Sequence, residues 1–452
     1  MLSSISAMLA RIKNSWANEF TDDVLEEVFR SVNHTWRDRL LPPMLTVRLF
    51  LLQILHGNVA CPALPHLSGQ DFTEQAYCDA RKRLPLAALE RLLTHTTERL
   101  AQAALDSARW LGHRVFVVDG SSFSMPDTPA LQSHFGQPGQ QRPGCGFPVA
   151  HWLAMMHHGT GLIVKMLTAP LRTHDMSQVA ELHPELQPGD VLVGDRGFCS
   201  YVHLALLLGR AAQGLFRIHQ NQNVNFTPGR AHVPPRQKQK NYPKGLPASR
   251  WVRALGMEDQ LVEWFKPLLC PGWMSTEQFA GLPEKLLLRE LRYRVTRRGF
   301  RVHEVTLVTT LIDSATYPAT ELAELYGRRW NIETNFRHLK TTMGMKVLRC
   351  KTVVGVHKEL LMFALAYNLV RLVMVEAAKR QGVFVERISF VDALRWLIYD
   401  SGDAPLVPLV VNPVRPDRVE PRVIKRRSDK YKRMMKPRRK LREELEHQSL
   451  AA

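Results

Sequence analysis

The sequence predicts a mixed α/β protein with a helical segment ahead of the core and further helices behind it. Three observations carry this. Beyond Arg114, short continuous apolar runs bounded by turn residues read as buried strands. Stretches with three- and four-residue apolar spacing alternate with those runs, as in α/β architecture. The flanks, before residue 107 and after residue 318, show helical spacing with hardly any strand signal. At 452 residues the chain can bury a large core and form two or three domains.

The elements follow in order. Thr21 can cap a helix through Val32, and Pro42-Pro43 opens an apolar helix from Met44 to His56. Thr73 can cap a third helix, which carries Arg81, Lys82 and Arg83, and Pro85 to Ala104 forms a fourth. Such a basic helical head fits either DNA binding of helix-turn-helix type or simple packing on the core. Arg114 to Asp119 reads as a buried strand ending in an aspartate, with Gly120-Ser121-Ser122 as the turn beyond it. Phe147 to His157 and Gly161 to Thr168 form a hairpin around His158-Gly159-Thr160. Asp175 to His183 is helical. Asp190 to Asp195 is a second strand ending in an acid, followed by a helix from Tyr201 to Leu208 and a strand from Gly214 to His219. Leu291 to Val295 and Val302 to Leu311 form another hairpin, Pro318 to Met343 one helix, and Val354 to Arg380 and Ser389 to Tyr399 two more.

The charge balance narrows the function classes. Sixty-one Lys+Arg against 42 Asp+Glu give a net charge of +19, which calls for a polyanionic partner, nucleic acid first and a membrane surface second. From Arg196 to Met257 there is no acid at all, while ten Lys/Arg occur, Arg236, Lys238 and Lys240 among them in a Pro/Gly/Gln-rich loop. Ordinary surfaces mix signs, so this stretch reads as a phosphate-contact surface. The tail from Arg422 to Arg442 has twelve Lys/Arg against Asp429 and reads as a flexible segment, either drawn to DNA or merely solubilising. Six scattered cysteines without a CxxC pair argue against a disulfide framework or a zinc site and for a reducing cytoplasm. The N-terminal residues lack the order of a signal peptide, and the apolar stretch Glu359 to Glu376 is interrupted by Asn368 and Arg371, so no membrane role is expected.

The helix from Pro318 to Met343 carries two stripes. Leu322, Leu325, Ile332, Phe336, Leu339 and Met343 form a core face. At about 100° per residue, Tyr326, Arg329, Glu333 and Lys340 fall within an arc of roughly 60° beside it. Alone, that polar stripe is equally a set of solvated ion pairs. Either strand-end aspartate alone is equally a turn cap. Together, Asp119, Asp195 and Glu333 on three elements of one core could converge as hard oxygen ligands for Mg2+ or Mn2+. A pair of such ions about 4 Å apart can activate an attacking hydroxyl and stabilise the leaving oxygen of a phosphodiester. His151, His157 and His158 show no ligand spacing and read as strand packing. Ser121 and Ser122 read as turn hydroxyls, and Asp175 and Glu181 as a helix start and a solvated face.

Three motifs resemble the DDE transposases of bacterial insertion sequences, specifically the insertion-sequence-four family. They are Val117-Val118-Asp119-Gly120-Ser121, Leu192-Val193-Gly194-Asp195-Arg196-Gly197-Phe198, and the Tyr326, Arg329, Glu333, Lys340 spacing of the Y-R-E-K signature. The resemblance spans about Arg114 to Glu376. It implies a ribonuclease-H-like DDE core over residues 108–376, interrupted by a basic β-rich insertion at 220–300. A helical N-terminal domain at 1–107, a possible DNA-end binder, would precede it, and C-terminal helices with a basic tail at 377–452 would follow. It implies cut-and-paste transposition by metal-dependent strand cleavage and strand transfer at terminal inverted repeats. A homodimer on paired DNA ends would do this in the bacterial cytoplasm, at the nucleoid. Asp119, Asp195 and Glu333 would be catalytic and hold two Mg2+ or Mn2+ ions. Tyr326, Arg329 and Lys340 would contact terminal phosphates. Trp330 would stack on a displaced base, or else pack against the insertion. A non-catalytic regulator of transposition and a host nuclease on the same fold are the alternatives.

Overall fold

The apolar runs assemble into one nine-stranded sheet, ordered β3-β2-β1-β4-β5-β9-β8-β7-β6. The strands are β1 (Val115–Ser124), β2 (Val149–His157), β3 (Ile163–Pro170), β4 (Val191–Gly194), β5 (Gln213–Arg217), β6 (Arg250–Gly256), β7 (Asp259–Phe265), β8 (Lys285–Val295) and β9 (His303–Thr309). The computed structural model describes residues 22–450, apart from 38, 107, 140, 172, 174, 236–241, 296–302, 347, 400–405 and 414–433. β1, β4 and β5 run parallel, whereas β2 pairs antiparallel with β1, and β9 with β5.

β2, β4 and the first half of β1 are apolar without alternation because both faces of the sheet are covered there. Val115 and Val117 of β1, Trp152 and Met156 of β2, and Val191 and Val193 of β4 point into one core. Phe116, Val118, Leu153, Met155 and Leu192 point into the other. The first core is filled by the long helix Val353–Gln381 and by the helices Asp22–Ser31, Pro43–Leu55 and Leu86–Asp106. The second is covered by the Tyr201–Gly209 helix and the Val179–Glu185 turn. Among the described residues, Val353–Gln381 is long and apolar enough to cross a membrane, but 89% of its apolar window is buried inside the protein. Its Tyr367 hydroxyl donates to the Gly161 carbonyl, Asn368 bonds both backbone groups of Ile163, and Arg371 donates to the Thr160 carbonyl. The residues that interrupt its hydropathy are thus the ones that lock it to the β2–β3 hairpin.

The structure corrects several expectations. β1 does not end at Asp119. Gly120 to Ser124 continue the ladder with β2, so Ser121 and Ser122 are strand residues and not a turn. The stretch from Pro318 to Met343 is not one helix. It comprises Ala319–Arg328, Asn331–Arg337 and a π-helical turn His338–Thr342. Between the first two, hydrogen bonds shorten to three-residue spacing at Arg329, Trp330, Ile332 and Glu333. β6 to β9 extend the edge of the same sheet beyond β5, and β6 and β7, which had no strand assigned individually, lie within residues 220–300. Of the three basic residues on the third helix, Arg81 turns inward, with its guanidinium 3.8 Å from the Phe50 ring centroid and bonded to Gln53. The end of the basic tail is a helix, Arg438–Leu450, and Arg438 is seated on Asp127 and over the Phe147 ring. Residues 422–433 of that tail lie outside the described residues.

Candidate active site

Val118 of β1 pairs with Gly194 of β4 as the last pair of that parallel ladder, so Asp119 and Asp195 lie side by side where the ladder ends, at the carboxyl end of β4 and midway along β1. Ligands of open α/β sheets gather at that edge. Asp195 also caps the turn Arg196–Phe198, with Oδ1 accepting from Gly197 N at 2.7 Å. Asp119 Oδ1 accepts from Gly120 N at 2.8 Å. Glu333 enters from the Asn331–Arg337 helix, whose buried Ile332 and Phe336 anchor it to the first core, with Phe336 against Trp152.

All three acids line one cavity of ≈ 470 Å³, together with Gly120, Ser121, Arg329, Phe336, Arg337, Lys340, Thr341 and Lys346. Arg329 sits among the acids. Its Nη1 is 3.1 Å from Asp119 Oδ2 and its Nη2 is 3.9 Å from Glu333 Oε1. Burial raises the Asp119 carboxyl to about 6, even though Arg329 pulls the other way. Burial also works against the charge on Arg329, but Tyr326, Asp119, Asp195 and Glu333 outweigh it and hold the guanidinium above its ordinary range. The helix break at Arg329 is what lets this side chain turn across to β1.

The remaining sequence-predicted residues divide. Lys340 reaches β1, donating to Ser121 Oγ at 3.1 Å and to the Ser122 carbonyl at 2.8 Å. Burial and then the nearby Lys346 lower its proton affinity. Tyr326 is buried beneath Arg329, its ring centroid 5.7 Å from the guanidinium carbon, and burial raises its phenol. Trp330 stands 62% exposed at the helix break. Arg236, Lys238 and Lys240 lie outside the described residues. His157 is a packed strand residue, its Nδ1 accepting from Thr160 N. The sequence reading missed Arg337, Thr341 and Lys346. Arg337, four residues beyond Glu333, was open to detection by helical spacing. Lys346 was not, since it lies past a chain reversal.

Three carboxylates around one cavity fit, in kind, a hard divalent cation. A buried Asp119 whose charge is under-compensated fits the same group. The expected convergence of all three acids is incomplete, however. Among the described residues no three His/Cys/Asp/Glu side chains come close enough to hold one ion together, and Glu333 faces Arg329.

Residues 110–369 match the family described as "Transposase DDE domain". The chain is 27% identical over 381 residues to "Transposase InsG for insertion sequence element IS4" of Escherichia coli (strain K12), covering 79% of this chain and 77% of that protein. It is 25% identical over 126 residues to "Putative transposase InsZ" of the same organism, covering 28% of this chain and 42% of that protein. Among solved structures it is similar to a piggyBac transposase synaptic complex with hairpin DNA, at a TM-score of 0.40 and 9% identity, over 88% of this chain and 80% of that one. With the family match spanning more than half of the chain, and the relative from an insertion sequence most of it, the chain belongs to the DDE transposases of the insertion-sequence-four family, enzymes that cleave DNA and transfer its strands.

Proposed function

We propose that this chain moves its own insertion sequence by cut and paste, cleaving phosphodiesters at terminal inverted repeats and joining the freed ends to target DNA. The observation that supports this best is the shared cavity. Asp119 and Asp195 lie side by side there, each just past the last pair of the β1–β4 parallel ladder, and Glu333 faces them across Arg329. The sheet order β3-β2-β1-β4-β5, with β2 antiparallel, supports a ribonuclease-H-like core within residues 108–376. We assign 1–107 as the helical N-terminal domain, 220–300 as the insertion and 377–452 as the C-terminal segment.

Members of this family use divalent metal ions, and Asp119, Asp195 and Glu333 are the residues that would hold Mg2+ or Mn2+, two per site. When bound, such ions supply Lewis-acid stabilisation of the attacking and leaving oxygens. The chain's own residues do the rest. Arg329 holds the Asp119 carboxylate in place and cross-links β1 to the Glu333 helix. Lys340 ties the same helical segment to Ser121 and Ser122, so β1 is gripped on both sides of the cavity. Tyr326 supports Arg329 from below. Arg329, Arg337 and Lys340 put cations at the cavity, where a DNA backbone would lose its counterions. Trp330, exposed at the helix break between Arg329 and Glu333, would stack on a base displaced at the cut end, which would suit a hairpin route of excision. The partners are double-stranded DNA, at the element ends and at the target, and a second copy of the chain in the paired-end complex at the bacterial nucleoid.

The test is cleavage of an element-end duplex in Mg2+, alongside end binding by mobility shift. Asp119→Ala, Asp195→Ala and Glu333→Ala are each expected to abolish cleavage and leave end binding largely intact. Near-normal cleavage by any one of them removes that residue from the triad. Detection of only open 3′-hydroxyl ends during excision removes the hairpin route.

A further inference from the structure

We propose that Lys346, outside the Tyr-Arg-Glu-Lys signature, binds the DNA phosphate next to the scissile one at the far end of the active-site cavity. The proposal rests on the transposase reading of that cavity. Its grounds are geometric. The π-helical turn His338–Thr342 closes with Met343 N bonded to the His338 carbonyl at 2.9 Å. Gly344 then reverses the chain with φ +82, a conformation in which a side chain is strained. Met345 N bonds back to the Leu339 carbonyl at 3.1 Å, and Lys346 N to the Lys340 carbonyl at 3.2 Å. Met343 and Met345 are both 1% exposed, so the reversal is nailed into the core on either side of Gly344. A fixed turn therefore delivers Lys346 to the cavity beside Lys340, from six positions further along the chain.

The two lysines are not equivalent. Lys340 directs two of its three N–H bonds at Ser121 and Ser122 of β1. Lys346 is exposed, lines the same cavity, and has no ion pair among the described residues. Burial and then Lys346 lower the proton affinity of Lys340, and an anion between the two ammonium groups relieves the second effect. Position matters as well. Ser121 and Ser122 lie two and three residues past Asp119, so at about 3.4 Å per residue the lysine end is some ~7–10 Å from the acidic end along β1. That is the reach from a phosphate under attack at the carboxylates to its neighbour on the same strand. The acids take the reacting phosphate and the lysine end takes the next one.

The experiment measures binding of the full chain to an element-end duplex over a salt series, then cleavage in Mg2+ against DNA concentration. Lys346→Ala is expected to weaken end binding about tenfold and to reduce the slope of log K against log[salt] by about 0.9. Lys346→Arg is expected to restore both, and the loss in cleavage is expected mainly in KM. A duplex carrying a neutral methylphosphonate next to the cleavage position should bind the unaltered chain less well, with no additional loss in Lys346→Ala. Unchanged affinity and slope in Lys346→Ala, or additive losses from the methylphosphonate and the substitution, overturn the proposal. Asp119→Asn separates the two levels. If that variant still cleaves, the catalytic reading fails. If it is inactive while Lys346→Ala binds normally, only the role of Lys346 fails.

Discussion

Trp330 shows how a single residue can be legible in kind and open in role. Its place directly after Arg329 suggested either a base-stacking ring or a packing ring. The 62% exposure of the side chain leaves it little to pack on. Trp330→Ala should therefore shift unfolding stability by no more than about 0.5 kcal/mol while lowering cleavage of element ends at least tenfold. Thermal unfolding beside a cleavage assay measures both, and parallel losses would return Trp330 to a packing role. His157 gives the pH dependence. It is fully buried, and burial lowers its imidazole to about 3, with His158 and Arg114 adding to the shift. The folded state thus keeps it neutral while the unfolded chain binds a proton below about 6.5. Stability from this group is complete above about 6.5 and falls as pH drops toward 3, by roughly 1.4 kcal/mol per pH unit. His183, lowered to about 3 mainly by burial, acts in the same direction. Urea unfolding between pH 7 and 4 should show this slope, and His157→Gln should remove about one proton from it. An unchanged slope would mean that His157 is protonated in the fold. Asp195 was legible as a strand-end acid because the apolar run Val191–Gly194 stops directly before it. Ser121 and Ser122 were misread because nothing local distinguishes a turn from a strand that merely becomes polar.

At the scale of elements, the sequence marked the long helices and the strands β1 to β5, β8 and β9, but missed β6, β7 and the helices Leu64–Ser68, Pro129–Phe135, Thr276–Ala280 and Arg438–Leu450, and misjudged how some elements continue. β1 runs past Asp119 because its antiparallel neighbour β2 supplies partners as far as Ser124, a non-local cause. The Pro318 to Met343 stretch has unbroken helical periodicity and no internal proline, so it predicts one rod. Tertiary contacts override that. Arg329 is drawn to Asp119 and Lys340 to Ser121, and the backbone accommodates both by tightening at 329–330 and widening at 338–342. The 60° arc drawn for an ideal helix was therefore inexact, yet Arg329, Glu333 and Lys340 still share a cavity because each deviation turns its side chain inward. The β2–β3 hairpin provides a test of how one element holds another. Gly161 has φ +70, and a β-carbon there would overlap the Arg371 guanidinium that donates to Thr160. Gly161→Ala should cost at least about 2 kcal/mol, from left-handed strain plus displacement of a buried charge. Urea denaturation checks it, and a loss below about 0.5 kcal/mol would show that Arg371 does not lock the hairpin.

At the scale of the whole molecule, the inserted strands bear on the catalytic face through one buried junction. Arg289 of β8, fully buried, is paired with Asp259 of β7 through Nε at 2.8 Å and Nη2 at 2.5 Å, and its Nη1 donates to the Tyr317 carbonyl at 2.6 Å. Tyr317 is the residue before Pro318, where the Arg329- and Glu333-bearing segment begins. Its hydroxyl meets His113 Nε2 at 2.8 Å just ahead of β1, and His113 Nδ1 meets the Gly189 carbonyl just ahead of β4. One junction therefore touches the roots of all three acid-bearing elements and the insertion. None of this was legible, because Asp259, Arg289, Tyr317 and His113 are far apart in sequence and individually ordinary. If the insertion were an independent domain, its loss would spare the core. The shared sheet and this junction predict the opposite. Arg289→Met leaves the half-buried Asp259 without its cation and the Tyr317 carbonyl without its donor, and should destabilise the protein by about 3 kcal/mol. Because the sheet is continuous from β3 to β6, that loss should appear as one earlier transition. Hydrogen exchange would show β8 and β4 amides losing protection together, and element-end cleavage would fall at the same denaturant concentration. Two separated transitions, with the insertion melting first and cleavage retained, would show that the sheet is continuous in geometry only.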